Sequence, residues 1–529
     1  MIATTHTVSL HGSIGHVIDV QVDLSNGVIA AVLVGRPDAA INEARDRCRS
    51  AVNNSGFEWP VTKRVTILLS PADLPKRGSH FDLAIAVGVL AAADKAFPRG
   101  RLAGAAFIGE LTLDGRLRCV PGVLPMVMAA AARGIDTVYV PEPHVGEARM
   151  VEGVTVLGVR SLGQVMALLI GALPPPAPPV EPITSTPLLG WVDGTGDDDL
   201  DLRDVYGMAD ARYALEVAAA GGHHLMLSGP RGSGKTTLAE RLPTILPDLG
   251  REDALELTAV YSLAGALAPG DGIISRPPFR APHHSASRTA VLGGGSGQVR
   301  PGEVSKAHHG VLLLDEFPLF PIDVIDALRE PLESGLIRLS RGEEDAVFPA
   351  RALVVFGANP CPCGDFSPHN RDHNCICGEV ARRNYRRKIR GPILDRIDIT
   401  RHVEPVGAHE LDDDVFGSPE SSADVTERVA RARAIQAARY DGHPWRLNAH
   451  VPGPVLKRVW PLAGGAAGEL QKHLLDGALT HRGSVRVHRL AWTVADLAGV
   501  DQPGRDELAV ALRLRRGEPL ASLTVGAAR

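Results

Sequence analysis

The sequence predicts an α/β protein whose central unit holds a parallel sheet and whose last unit is helical. Apolar strands at 224–228, 311–314 and 352–357 alternate with helical stretches, as in a parallel sheet whose two faces are covered. From about residue 425 the pattern is almost wholly helical. Before residue 173, strands and helices mix without strict alternation, which predicts an α+β domain with a mixed sheet.

Length and composition indicate a globular protein of several domains. A chain of 529 residues, 44% hydrophobic and 22% charged, exceeds one ordinary core and predicts two to four domains. The formal net charge of -5 excludes a global basic field, so nucleic acid would have to meet a local basic patch. The chain shows neither a secretory signal pattern nor a run of 18 apolar residues, so we expect a cytoplasmic protein without a membrane partner.

A proline-rich segment separates the first two domains. Residues 174–187 hold seven prolines in fourteen positions, a composition that favours an extended linker. The predicted organisation is an N-terminal domain at 1–172, a linker at 173–199, a core at 200–405 and a helical unit at 420–529.

The N-terminal domain contains alternating short apolar runs and helical patterns. The predicted strands are 27–35, 65–69, 107–113, 138–140 and 154–159, and the predicted helices are 39–53, 82–93 and 123–133.

A glycine-rich loop between a strand and a helix predicts a nucleotide site. The pattern GPRGSGKT follows the apolar strand at 224–228 and opens a helix, so its backbone N–H groups can surround phosphates. In this pattern Lys235 reaches the β and γ phosphates and Thr236 offers its hydroxyl to Mg²⁺. A glycine turn without a ligand is the alternative. The predicted nucleotide-binding residues are Gly229, Pro230, Arg231, Gly232, Ser233, Gly234, Lys235, Thr236 and Thr237.

Two carboxylates end the strand at 311–314. Asp315 is expected to hold Mg²⁺ together with Thr236, and Glu316 to polarise the water that attacks the γ phosphate of ATP. For Glu316 the alternative is a solvated surface acid.

Two further polar residues follow this pattern. Asn359 ends the strand at 352–357, where its amide can orient the attacking water, although asparagine also often caps a turn. Arg396 lies on a loop after a Gly-Pro turn, where it can reach a neighbouring subunit's γ phosphate. The alternative for Arg396 is an ion pair with Asp395 or Asp398.

The order GPRGSGKT, VLLLDE, GAN and LDRID, followed by a helical domain, resembles AAA+ ATPases of the helix-2-insert branch. The tracts RPGEVSKAHHGVLLLDEFPLF, ALREPLESG and GANPCPCG are most similar to the YifB/ComM family of magnesium-chelatase-like proteins. The resemblance implies a P-loop AAA+ core, a C-terminal helical lid and a ring, expected to be a hexamer. It also implies that Arg396 is a finger acting in trans and that Arg486 is the second sensor of the lid.

The segments at 70–88 and 107–123 resemble the Lon-protease-like domain of the same family. A Lon peptidase needs a serine nucleophile and a lysine base. His80 and Leu124 stand at these two positions, so the resemblance implies a domain without peptidase activity.

Four cysteines crowd into 17 residues, as Cys361, Cys363, Cys375 and Cys377. Four thiolates can hold a structural Zn²⁺, although the C-x-C spacing is unusual and free thiols are the alternative. His369 and His373 lie between the pairs and are alternative ligands.

Basic residues next to Arg396 give a candidate DNA contact, with a solvated helix face or an intersubunit surface as the alternative. A predicted hairpin at 336–348 carries Arg338 and Arg341, which are candidates for a contact in the ring's pore. The six basic residues near Arg396 are Arg382, Arg383, Arg386, Arg387, Lys388 and Arg390.

The family resemblance implies an ATP-dependent DNA helicase that drives branch migration in recombination or natural transformation. Two alternatives remain. One is a magnesium-chelatase-like motor, against which the Lon-like domain and the missing D-x-S-x-S motif argue. The other is an ATPase that remodels proteins without moving along DNA.

Overall fold

The computed structural model describes residues 2–182, 200–295, 299–341, 344–366, 375–389, 393–405 and 419–520. Its first unit is a mixed seven-stranded sheet with the order β3-β4-β2-β1-β5-β8-β9 and a small β6-β7 hairpin. The strands are β1 (Ile2–His11), β2 (Ile14–Ser25), β3 (Ala31–Val34), β4 (Arg64–Ser70), β5 (Ala105–Phe107), β6 (Glu110–Leu111), β7 (Leu117–Arg118), β8 (Thr137–Pro141) and β9 (Thr155–Val159). The helices are α1 (Ala39–Asn54), α2 (Asp82–Ala93), α3 (Val123–Ala132), α4 (Val145–Ala148) and α5 (Leu162–Ile170).

The sequence prediction missed the two longest strands of this sheet, β1 and β2. They pair antiparallel over the whole length of β1, from Ile2 opposite Asp23 to His11 opposite Ile14. Strand β1 lacks a clean apolar alternation because three of its fully buried side chains are polar, namely Thr5, Thr7 and Ser9. The single strand predicted at 107–113 is also wrong, since β5 ends at Phe107 and β6 is a separate short strand.

The second unit is a five-stranded sheet, entirely parallel, with the order β11-β14-β17-β10-β18. This confirms the predicted α/β core. The strands from here on are β10 (Leu225–Ser228), β11 (Phe279–Arg280), β12 (Gly293–Gly294), β13 (Arg300–Pro301), β14 (Val311–Leu314), β15 (Leu336–Arg341), β16 (Glu344–Pro349), β17 (Leu353–Ala358) and β18 (Ile399–His402). The helices are α6 (Ala209–Gly221), α7 (Lys235–Arg241), α8 (Arg251–Ala264), α9 (Arg288–Leu292), α10 (Glu303–Lys306), α11 (Ile322–Ala327), α12 (Pro331–Ser334) and α13 (Glu379–Ile389).

The last unit is helical, as the sequence predicts. A capping box formed by Ser421 and Asp424 starts its first helix, and Gly499 at φ 70 ends its fourth. Leu490 and Leu508 pack with Leu215 of α6 in one apolar cluster, so the helical unit lies on the core. Its helices are α14 (Ser422–Arg439), α15 (Gly453–Val459), α16 (Gly464–Leu475), α17 (His481–Ala498) and α18 (Arg505–Arg516).

The N-terminal unit and the core share a second apolar cluster. Val8 and Leu10 of β1 belong to it together with Leu263 of α8 and Phe348 of β16. At the same contact, the backbone N–H and the hydroxyl of Ser13 both donate to the Val347 carbonyl, at 2.9 and 2.8 Å. The β15-β16 hairpin is therefore fixed at its base to the N-terminal sheet.

The predicted linker falls partly within the described residues, where 173–182 form neither helix nor strand. The domain limits drawn from the sequence stay predictions. In the described part of the chain, each helix is too short or too polar to cross a membrane.

Candidate active site

Three neighbouring parallel strands bring the predicted nucleotide residues to one edge of the core sheet. The phosphate loop follows β10, Asp315 and Glu316 follow β14, and Asn359 follows β17, which lies between the other two strands. The carboxyl ends of parallel strands are where open α/β sheets bind ligands. The predicted residues therefore meet in one crevice.

The phosphate loop has a backbone that only glycine adopts readily. Gly232 and Gly234 have φ values of 71 and 82, in the left-handed region, and α7 begins directly after them at Lys235. The Lys235 ammonium donates to the carbonyls of Gly229 and Pro230 at 3.0 and 2.8 Å. Burial lowers its pKa, and the nearby acids oppose that shift. The Lys235 cation and the N-terminus of α7 therefore lie at the same place, and both favour the binding of an anion.

Thr236 and Asp315 supply two oxygen atoms to the same point. The Thr236 hydroxyl donates to Asp315 Oδ2 at 2.8 Å. Asp315 also packs against Gly357 of β17, where a Cβ atom would lie 2.4 Å from Asp315 Oδ1. A hydroxyl and a carboxylate are hard ligands of the kind Mg²⁺ prefers, so this pair suits that ion.

Glu316 is held in an unusual conformation beside a histidine. Its φ of 50 is left-handed, and its N–H donates to Asp315 Oδ1 at 2.8 Å. The carboxylate lies 3.3 Å from His284 Nδ1, on the loop that follows the neighbouring strand β11. Both side chains are about one-third exposed, at 31% and 36%, so Glu316 is a partnered acid rather than a fully solvated one.

Asn359 is buried directly after β17, and Tyr385 is buried on α13. The Tyr385 hydroxyl lies near the Asn359 backbone and the Glu316 carboxylate. Burial, with the nearby charge of Glu316, raises the pKa of Tyr385 to about 12. Tyr385 therefore stays a neutral hydroxyl at the border of the site.

Arg396 and Arg486 lie at the opposite edge of the sheet. The 3₁₀ turn that ends at Arg396 precedes β18, whose first residue pairs with Leu225 at the start of β10. The phosphate loop follows the other end of β10. At about 3.3 Å per residue, its first residue is about 16 Å from His224, which directly precedes β10. Arg396 is buried and pairs with Glu333 of α12 at 2.8 Å, a partner that the sequence did not indicate.

Arg486 joins the helical unit to the same edge. Its guanidinium donates to the Asp395 carbonyl and to Asp398 Oδ1, both at 2.6 Å. Burial alone would raise the pKa of Asp398, but the charge of Arg486 and the His223 side chain outweigh it and hold the pKa well below its usual range. A cleft of about 590 Å³ opens here, lined also by Arg351, Arg482 and Arg489.

The four cysteines of the predicted zinc site lie together. The sulfur of Cys361 is 3.2 Å from that of Cys363 and 3.6 Å from that of Cys375, and all four sulfurs lie within 4.8 Å of one another. None of the four takes part in a disulfide bond. The alternative ligands His369 and His373 lie outside the described residues.

A second cluster, Glu256 with His308 and His309, contains residue types that bind metals, but its protonation does not suit a metal ion. The Arg351 N–H donates to His308 Nδ1 at 3.0 Å, so a neutral His308 carries its proton on Nε2. That Nε2 faces Glu256 Oε2 at 3.3 Å and has no lone pair for a metal. The two adjacent histidines, of which His309 hydrogen-bonds to Glu256 Oε2 at 3.4 Å, lower the pKa of Glu256 well below its usual range.

The candidate DNA contacts are only partly described. Arg383 and Arg387 are exposed on α13, while the Arg382 guanidinium stacks 4.5 Å from the Phe366 ring. Arg338 pairs with Glu330 at 2.7 Å. The side chains of Arg341, Arg386 and Lys388, and the whole of Arg390, lie outside the described part of the chain.

The N-terminal unit places His80 and Leu124 inside its packing. His80 is buried, and its Nε2 hydrogen-bonds to the Val8 carbonyl at 2.7 Å. Leu124 is fully buried. Ser79, next to His80, donates its hydroxyl to Glu110, a carboxylate rather than a lysine base.

Sequence reasoning missed several residues at these sites. His284 and Tyr385 lie near the predicted residues and belong to no pattern that was singled out. Gly357 belongs to the GAN motif and Glu333 to the ALREPLESG tract, but neither residue was assigned a role. The sequence signal for His284 is weak: it is one of two adjacent histidines in RAPHHSAS, a segment that contains no apolar run. Tyr385 is the one aromatic residue in an arginine-rich helix.

Comparison with known proteins agrees with this architecture. Three magnesium chelatase models match: subunit ChlI over 201–411, subunit ChlI of Mg-chelatase over 20–144, and the ChlI C-terminal model over 419–515. An uncharacterised protein of Mycobacterium tuberculosis is 46% identical over 515 residues, covering 96% of this chain and 98% of that protein. YifB of Escherichia coli is 38% identical over 97% of both chains, and competence protein ComM of Haemophilus influenzae is 38% identical over 94% of both. The chain therefore belongs to the YifB/ComM family of magnesium-chelatase-like AAA+ proteins.

Proposed function

We propose that this protein hydrolyses ATP with Mg²⁺ at the carboxyl edge of its core sheet. The observation that carries the proposal is the contact of Thr236 with Asp315 at 2.8 Å, beside Lys235 and Glu316. In this proposal Lys235 binds the phosphates, Thr236 and Asp315 hold the magnesium ion, and Glu316 orients the attacking water. Asn359 assists from the neighbouring strand.

The same proposal includes a ring in which one subunit completes the site of the next. Arg396 and Arg486 share the edge of the sheet that lies opposite their own phosphate loop. Both arginines therefore suit a neighbour's γ phosphate better than their own. A hexamer is the ring that we propose.

The motor is proposed to act on single-stranded or branched DNA, as a helicase or branch-migration factor in recombination or natural transformation. Support comes from the relative named competence protein and from the exposed arginines of α13. Phosphate contacts of that kind weaken as salt is added. A Zn²⁺ ion at the four thiols completes the proposed cofactor set.

A magnesium-chelatase-like motor is the second candidate, because all three matching family models carry the chelatase name. In that case, or if the protein remodels other proteins, DNA would leave its turnover unchanged.

Steady-state ATPase activity separates these functions. It would be measured with no DNA, single-stranded DNA and forked DNA, at low and moderate salt, with Lys235→Ala as the blank. We expect stimulation by DNA that falls with added salt. Turnover that is the same with and without DNA would refute the proposed action on DNA. Turnover equal to that of Lys235→Ala would refute the proposed ATPase activity.

A further inference from the structure

The four thiols match the size of one tetrahedral metal ion. Four sulfurs bound at about 2.3 Å to a tetrahedral ion lie about 3.8 Å apart. Three of the separations, 3.2, 3.6 and 3.6 Å, are close to that spacing, and all four sulfurs lie within 4.8 Å of one another. Sulfurs around a multi-iron cluster would stand farther apart, so a single soft ion such as Zn²⁺ fits this donor set.

The two cysteine pairs stand at the two ends of the connection from β17 to α13. Cys361 follows Asn359 by two residues, and Cys377 precedes Glu379, the first residue of α13, by two. An ion shared by both pairs would tie the tip of β17 to the start of the helix.

Both ends of this connection touch the nucleotide residues. Gly364 lies against Arg231 of the phosphate loop, where a Cβ on Gly364 would be 2.6 Å from Arg231 Cγ. Helix α13 packs beside the turn Phe317–Leu319 that directly follows Glu316. On this helix Tyr385 is buried, and it lies near Asn359.

We propose that Cys361, Cys363, Cys375 and Cys377 bind one Zn²⁺ ion that holds α13, and with it Tyr385, against Asn359 and Glu316. The ion acts through Tyr385 and Arg231 as a positioning element, and it does not touch the substrate. The consequence for turnover rests on the ATPase proposed above, whereas the metal and the position of α13 do not.

The first test is elemental analysis of the full-length protein after gel filtration. We expect one zinc per chain in the wild type and in Cys119→Ser, a matched control whose cysteine lies in the N-terminal unit. Cys363→Ser and Cys375→Ser should lose the metal. A metal-free wild type with four reactive thiols, or iron in place of zinc, would overturn the proposal.

The second test follows backbone hydrogen exchange before and after zinc is removed from the wild type by a chelator and then restored. This design avoids variants that fail to fold. We expect exchange to rise in 359–366 and in α13, to stay unchanged in the N-terminal strands, and to reverse with zinc. Unchanged exchange in α13 would refute the link to the site.

The third test measures ATP turnover and ATP binding in the same samples. Zinc removal should lower kcat about 10- to 100-fold, the effect typical of losing an outer group that only orients the reacting ones, while ATP still binds. Tyr385→Phe should keep the zinc and lower kcat alone. If the zinc-loaded wild type shows no turnover, the ATPase proposal fails, but the first two tests still decide the metal and its hold on α13. Full turnover without zinc would refute the positioning role.

Discussion

The Thr236 hydroxyl donates to Asp315 Oδ2 at 2.8 Å, joining two motifs that lie 79 residues apart. The two motifs follow β10 and β14, which are separated in the sheet by β17. The contact therefore crosses the end of β17, the strand that Asn359 follows.

Lys235→Ala removes the cation that is proposed to bind the phosphates of ATP. We expect ATP turnover to fall at least about 100-fold, since one preorganised charge contact is worth that much. The measurement is ATPase activity together with binding of a fluorescent ATP analogue. Lys457→Ala, on α15 of the helical unit, is the control. Turnover that survives in Lys235→Ala would remove the phosphate loop from the mechanism.

Glu316→Gln keeps the shape of the side chain and removes its basicity. Turnover should fall about 100-fold or more while ATP remains bound, because the loss concerns the attacking water alone. Asp323→Asn, an exposed acid on α11, serves as the matched control. A Glu316→Gln protein that turns over normally contradicts the assignment, and loss of binding would point to a structural defect.

Arg396→Ala tests whether the opposite edge of the sheet serves a neighbour. Its turnover should fall about 1,000-fold with binding preserved, as for an arginine finger. Mixing it with Glu316→Gln should restore part of the activity, because some interfaces then hold one intact Glu316 and one intact Arg396. Arg116→Ala in the N-terminal unit is the control. A mixture as inactive as its parts favours a local role for Arg396, with Glu333.

Asp398→Asn removes the buried charge that binds Arg486. Breaking a buried pair from one side leaves the other charge unbalanced, so the free energy of unfolding should fall by about 3 kcal/mol. Asp395→Asn is a matched control, because Asp395 contributes its backbone carbonyl to Arg486. Chemical denaturation followed by circular dichroism measures both. Equal stability of the two variants would show that the ion pair is dispensable.

Stability should fall when the pH drops from 7.5 to 5.5. Burial lowers the pKa of His80, His224 and His488 to about 4 each, against about 6.5 in the unfolded chain. Between these values only the unfolded chain takes up the protons, so each histidine costs about 1 kcal/mol at pH 5.5. The pKa of Asp398 is already below this window, and its contribution stays constant.

Thermal midpoints at pH 7.5, 6.5 and 5.5 check this expectation. His488→Gln should show a smaller drop, since the amide can still donate to the Trp460 carbonyl that His488 contacts at 2.9 Å. A midpoint that rises toward pH 5.5 would contradict the three buried neutral histidines.

The sequence predicts the core sheet well because its strands are continuous apolar runs. Leu225–Ser228, Val311–Leu314 and Leu353–Ala358 lie within two residues of the expected positions. The first is followed by the glycine that opens the phosphate loop, and the other two by a polar residue at the crevice. Strand β1 escapes prediction because Thr5 and Thr7 occupy inward positions. The periodic pattern reports burial only where the buried side chains are apolar.

Partners that lie far apart in the chain limit the prediction of the site. Arg486 and Asp398 are 88 residues apart and belong to different units, and neither residue carries a local sign of the other. Tyr385 is similar: the strongly basic composition of its helix gives no sign that this side chain is buried. Tertiary packing decides both contacts.

The apolar cluster shared by β1, α8 and the β15-β16 hairpin bears on how this protein can be divided for experiments. A chain shortened to begin near residue 200 would leave Leu263 and Phe348 without their cover, and a newly bared apolar surface invites aggregation. Loss of activity after such a deletion would then reflect insolubility, and it would not show what the N-terminal unit does in the intact protein. A single replacement at the contact between the two units, such as Ser13→Ala, leaves the apolar cluster covered. Such a variant tests what the N-terminal unit contributes.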